Sequence, residues 1–195
     1  MVDTFFGMKV ATASISFRIP PLRHLLAWIG SIPADRASIS AALRQGSSVC
    51  VFPGGISEMV RTGGACEQLV LNNRKGVIKL ALEHGTPIVP VYVFGQTILW
   101  GQFPLPGWVE RLSRRLRASL FIPFGRFGTL IPRKIPLLYC VGAPIALPKM
   151  GHPATDHLVQ DQIDSAHRAV VDSVRELYDF YKGMYGWEER PLYID

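Results

Sequence analysis

Nowhere in these 195 residues does an apolar run reach the roughly 18 to 20 residues that a bilayer-spanning helix needs. The best candidates, Thr86 to Gly95 and Ala118 to Phe124, are about half that length and contain prolines. Charge is scarce too, 18% against 48% hydrophobic residues, which excludes a disordered chain. The mean hydropathy of +0.20 is high for a freely soluble protein. An apolar chain without a span reads as a peripheral membrane protein or a piece of a larger one. Acidic residues are outnumbered, 15 to 21, which leaves a formal net charge of +6. That balance points to an anionic partner: nucleic acid, an anionic bilayer surface or a phosphorylated ligand. Cysteine is sparse. Cys50, Cys66 and Cys140 are odd in number and lack metal-ligand spacing, so no metal site is expected. Cys50 and Cys140 sit in apolar runs as small hydrophobes, consistent with a reducing compartment. Met1 to Ala11 has one lysine, no long apolar stretch and no clear cleavage site, so it does not read as a signal peptide. No repeat, low-complexity tract or linker appears, and a single domain over residues 1–195 is expected.

What is present is a succession of helical and strand patterns. Pro20 to Gly30 opens on prolines and ends on glycine, with Leu22, Leu25, Leu26, Trp28 and Ile29 covering most of its circumference. Such a helix is either buried or lies in a membrane interface. A short polar turn, Ser31 to Arg36, precedes a weak helix, Ala37 to Gln45, closed by Gly46. Ser48 to Phe52 is an apolar strand running into Pro53, Gly54 and Gly55. Arg74 to Glu83 is helical, with His84-Gly85 as its stop. Pro87 to Phe94 is β-branched and aromatic, a strand predicted to be buried on both faces. Leu137 to Val141 is a third strand. Trp108 to Arg117 is a basic amphipathic helix, and Ala154 to Met184 a long helix with one apolar stripe. The fold class that follows is α/β, with a mixed, mostly parallel central sheet flanked by helices.

Three segments are candidates for chemistry. Val51 to Glu58 runs a buried strand into paired glycines, which lets the backbone approach a ligand closely and aim N–H groups at an anion. Glu58, three residues on, can orient a basic group or a hydroxyl. The same segment also reads as a structural turn with Glu58 a solvated cap. Arg74-Lys75 places two cations at a helix start, an anion site or exposed surface charge. Arg36 stands on a turn and says little by itself.

In order, these segments resemble the diacylglycerol acyltransferase type 2 family, which includes monoacylglycerol and wax-ester enzymes. The resemblance rests on Phe17-Arg18-Ile19-Pro20, Pro33-Ala34-Asp35-Arg36, Phe52 to Glu58, Arg74 to Ala81 and Val89 to Gly95. Gly125-Arg126, Val141 to Ile145, Pro148-Lys149 and the helix ending Tyr181 to Gly186 extend it, so it covers about residues 11–186. It implies a glycerolipid-acyltransferase-like fold and transfer of a fatty acyl group from acyl-CoA to diacylglycerol or a related lipid alcohol. Acyl-CoA is then a substrate and no cofactor is needed. The implied place is the cytosolic face of the endoplasmic reticulum membrane. Arg36, Arg74 and Lys75 would hold coenzyme A phosphates, Gly54 and Gly55 would shape the site floor, and Glu58 would serve catalysis by orienting the acceptor.

One departure matters. The family's His-Pro-His-Gly sequence, whose histidine is expected to act as general base, does not occur here. The chain therefore resembles an N-terminally truncated member, and little activity is expected of it alone. His167 and Asp172 have His-x4-Asp spacing, but five positions on a helix turn side chains about 140° apart. A reading of another class is a non-catalytic membrane-surface lipid-binding module built on the helices at Pro20 to Gly30 and Trp108 to Arg117. Nucleic-acid binding is not expected, since the arginines lack interleaved exposed aromatics and no recognition motif appears.

Overall fold

Small sheets and the helices packed on them make up this α/β protein. The computed structural model describes residues 7–54, 66–72, 74–102, 123–129, 131–149 and 157–195. They gather into two units, one of Met1–Pro53, Lys75–Pro87 and Ala146–Asp164, the other of Gly54–Arg74, Ile88–Ile145 and Ser165–Asp195. Glu58, Gly55 and the basic helix expected at Trp108 to Arg117 lie outside the described residues.

In the first unit β1 (Met8–Thr12) is the centre of a parallel sheet, with β2 (Ser31–Pro33) and β3 (Ser48–Cys50) on either side. Val10 sits opposite both Ser31 and Cys50. The polar turn expected at Ser31 is thus partly a strand, because β1 offers its first residues a ladder that their composition does not advertise. Helix α1 (Pro20–Trp28) starts on two prolines, where no intrahelical N–H is required. It gives way to Gly30 at φ +73°, a left-handed conformation that glycine adopts without strain. Helix α2 (Arg36–Arg44) is capped by Asp35, whose carboxylate accepts the Ser38 N–H and the Ser38 hydroxyl, each at 2.9 Å. Helix α3 (Gly76–His84) closes at Gly85, φ +63°. Ala11, Ile39 and Leu80 form the core, with Ile32, Leu43, Val49 and Val51 packed around them.

The second unit holds β4 (Glu67–Leu69) and β9 (Leu192–Ile194), paired in parallel, and β5 (Val91–Phe94) and β8 (Leu138–Val141), paired antiparallel. The two-residue strands β6 (Gly101–Gln102) and β7 (Pro123–Phe124) form a further antiparallel pair. The long helix α4 (His157–Tyr185) contributes its residues from Ser165 onward. The core is aromatic: Tyr92, Phe94, Cys140, Val174 and Tyr178, with Tyr181, Tyr185 and Trp187 against it. Phe94 stacks on Tyr178 at 5.3 Å and meets Trp187 edge-on at 5.7 Å. Gly95 has no substitute here, since a Cβ would lie 2.3 Å from Tyr185 Oη and 2.5 Å from Pro136 O.

Two expectations are corrected. β5 is not buried on both faces: Tyr92 and Phe94 enter the core, while Val89 and Val91 are exposed. Paired with β8, β5 presents its second face together with exposed Tyr139 and Val141, so it behaves as a one-sided antiparallel strand. Nor do the three strands foreseen for one central sheet share one among the described residues. β3 lies on β1, and β5 lies on β8. The described residues form no closed barrel.

Candidate functional site

The α3 amino terminus is where the sequence placed its cations. Lys75 is the residue before the helix, and its side chain makes no cap hydrogen bond to the first turn, whose N–H groups stand at the positive end of the helix dipole. Lys75 Nζ donates to Asp164 Oδ1 at 2.8 Å, an oxygen that also accepts from Gln160 Nε2 at 2.8 Å. Arg36, in the first turn of α2, donates from Nη2 to Glu83 Oε1 at 2.6 Å near the carboxyl end of α3. Lys75 and Glu83 are eight positions apart, about 12 Å along a helix axis. Arg36 and Lys75 therefore serve opposite ends of α3, and a ligand held by both must span that length. Both ion pairs are partly exposed, so opening either costs little.

Arg74 belongs to the second unit. Its backbone N–H donates to Leu71 O at 2.8 Å, and the residue is exposed. The stretch leading to it is held firmly. Leu71 N and Asn72 N donate to Asp195 O, Asn72 Nδ2 donates to Ile194 O, and His167 Nε2 donates to Leu71 O at 2.8 Å. Gly54 is buried, at the end of the turn that follows β3.

The histidines have structural neighbours. His84 Nε2 meets Ser40 Oγ at 3.0 Å and ties the end of α3 to α2. His167 is spent on the Leu71 carbonyl, and Asp172 pairs with Arg175 at 3.3 Å, so the His-x4-Asp spacing joins nothing. His24 stands exposed on α1. Among the described residues no group of three or more His, Cys, Asp or Glu could hold a metal ion.

A buried ionic cluster in the second unit was not foreseen. Glu67, 1% exposed, accepts from Thr97 Oγ1 at 2.9 Å and Tyr92 Oη at 3.2 Å and forms an ion pair with Arg190, whose Nη2 lies 2.5 Å from Oε1. The Arg190 guanidinium lies 4.3 Å over the Trp187 ring. Burial pushes the Glu67 carboxyl up, and the Thr97 hydrogen bond and then the Arg190 charge pull it back. Burial also raises the Tyr178 phenol, to about 12. A lone glutamate in a short apolar segment carries no sequence signal, and its arginine is more than a hundred positions away.

The family model for diacylglycerol acyltransferase matches residues 1–194. Diacylglycerol O-acyltransferase 2 of Danio rerio is 33% identical over 97% of this chain and 56% of its own length. Acyl-CoA wax alcohol acyltransferase 2 of Homo sapiens is 31% identical over 92% of this chain and 57% of its own. Diacylglycerol O-acyltransferase 2 of Homo sapiens is 31% identical over 94% and 50%. The chain spans about half the length of these curated relatives. No solved structure matches it.

Proposed function

From the premise that this chain belongs to the diacylglycerol acyltransferase family, we propose that it serves acyl-CoA-dependent O-acyl transfer in neutral-lipid synthesis, with diacylglycerol or a related lipid alcohol as acceptor. The observation that carries the reading is the family match along nearly the whole chain. In this reaction the acceptor hydroxyl attacks the thioester carbonyl. A tetrahedral oxyanion forms, the coenzyme A thiolate leaves as the carbonyl is restored, and a base takes the hydroxyl proton. In the proposal Lys75 and the first turn of α3 receive phosphate, with Asp164 released from Lys75. Arg74 and Arg36 add charge to the coenzyme A moiety, Gly54 and Gly55 shape the floor, and Glu58 orients the acceptor. No cofactor takes part.

A glycerolipid-acyltransferase-like fold belongs to the same proposal. The parallel pairs β1–β2, β1–β3 and β4–β9 support it. The proposed place is the cytosolic face of the endoplasmic reticulum membrane. That part is favoured by α1, which buries Leu26 and leaves Leu25 and Trp28 exposed, Trp28 by 84%, with exposed Ile29 just after it. The same exposure favours the second reading, a non-catalytic lipid-binding module. Among the described residues no helix is long and apolar enough to cross a membrane.

Acyl transfer from labelled acyl-CoA to diacylglycerol separates the two. These 195 residues hold no His-Pro-His-Gly, so little transfer is expected from them alone, with a deficit on the order of 10²–10⁴. Fusion to a relative's segment bearing that sequence restores it, and Glu58→Ala in the fusion lowers it again. A robust rate from the 195 residues alone rejects the assignment of the base. Absence of coenzyme A binding as well as of transfer favours the lipid-binding module.

A further inference from the structure

The connection from β7 to β8 has a tip that the proposed chemistry does not use. Phe127 sits there at φ 56° and ψ 25°, the one non-glycine residue in the left-handed region among the described residues. For a bulky side chain this conformation is strained. Its ring is also 88% exposed, so the strain is not relieved by packing.

The tip is nevertheless firmly built. Gly125 N donates to Thr129 O at 2.7 Å, Arg126 N to Ile131 O at 2.8 Å and Thr129 N to Arg126 O at 3.0 Å. The Thr129 hydroxyl donates to Arg126 O at 2.8 Å and accepts from Ile131 N at 3.2 Å. Gly125 is required, since a Cβ there would lie 1.7 Å from Ile131 O. The fold thus holds an aromatic ring out into water, with exposed Ile131 beside it in sequence.

Along the chain on either side of this tip the charge has one sign. From Arg111 through Thr155 the sequence has no Asp or Glu and eight basic residues, Arg126, Arg133 and Lys134 among them. Arg126 stays with the ring, its guanidinium 5.4 Å from the Phe127 centroid. Arg133 lies 5.5 Å over Phe124, and both Arg133 and Lys134 are exposed.

We propose that the Gly125–Thr129 tip docks on an anionic bilayer surface, with Phe127 seated in the interface and Arg126 and Lys134 at the phosphate level. An anionic leaflet offers a negative plane with an apolar layer beneath it, which suits exposed cations next to an exposed ring. The partner is the membrane surface of the proposed function, while acyl transfer itself is not needed.

Flotation of the 195-residue chain with phosphatidylcholine vesicles, with and without phosphatidylserine, tests this. Phe127→Gly suits the left-handed backbone and keeps the fold, as does Phe127→Asn, and circular dichroism verifies both. The expected result is binding that needs phosphatidylserine and falls about tenfold in each variant. Arg126→Gln with Lys134→Gln lowers it by at least about tenfold on anionic vesicles. Anionic binding that is undiminished in both Phe127 variants overturns this inference and leaves the membrane reading standing. Failure of the unaltered chain to float overturns both. Equal binding to neutral vesicles overturns the role of charge and with it the proposal. A Phe127-dependent dimer in light scattering, without flotation, overturns it in favour of a second copy of the chain.

Discussion

Glu67 shows how much one side chain decides. Its carboxylate is almost wholly removed from water, accepts hydrogen bonds from Thr97 and Tyr92 and pairs with the Arg190 charge. Such a pair adds little over a well-packed apolar one, but removing one member strands the other. Glu67→Ala is expected to destabilise the second unit by about 3–5 kcal/mol, read by urea denaturation, because Arg190 loses its counter-charge. The double change Glu67→Leu with Arg190→Leu should recover most of that loss. If the single and double variants melt alike, the pair is not the source. Asp35 carries the residue-scale pH dependence. Hydrogen bonds from Ser38, the backbone one first, hold its carboxyl below the ordinary value of 3.8. A depressed carboxyl contributes stability that is present above the unfolded value and lost as pH falls through the folded one. Asp35→Ala should therefore lower the stability of α2 at neutral pH and match the parent protein once both are acidified below that range. Circular dichroism melts across the acid range read the difference.

At the scale of elements, α3 joins the two ends of the candidate site. Its amino end carries Lys75 against Asp164, and its carboxyl end carries Glu83 against Arg36 and His84 against Ser40. In the proposed function a coenzyme A phosphate competes with Asp164 for Lys75. Asp164→Asn is expected to tighten coenzyme A binding by up to about fivefold, the worth of a partly exposed ion pair, while Lys75→Ala weakens it. Titration calorimetry at low salt measures both. Weaker binding in Asp164→Asn would show that the aspartate orients Lys75 for the ligand instead of competing for it. α2 and α3 were legible because their stops at Gly46 and Gly85 are local in sequence, and both glycines take positive φ. The β2 strand was not, since Ser31 to Pro33 has no strand pattern of its own and is a strand only because β1 lies beside it.

For the whole molecule the membrane expectation joins composition to structure. Exposed Leu25 and Trp28 on α1, with Ile29 just after it, supply apolar area, and the net charge of +6 supplies attraction to an anionic surface. Binding to anionic vesicles is expected to weaken with salt but to leave a salt-resistant remainder, and Leu25→Ser with Trp28→Ser should lower that remainder. Binding abolished entirely by salt would deny α1 this part. The sequence by itself determined the α/β class, the positions of α1 to α4, the strands β3, β5 and β8, and through ordered blocks the family. Those features rest on helical periodicity, proline starts, glycine stops and short motifs, all contained within a few turns of chain. Tertiary structure alone decided that β5 pairs antiparallel with β8 and keeps one face exposed, because an apolar run does not state which of its faces finds a cover. It also decided the Glu67–Arg190 pair and the parallel seat of β9 on β4, since each needs two segments more than a hundred residues apart, and only the folded chain brings them within bonding distance.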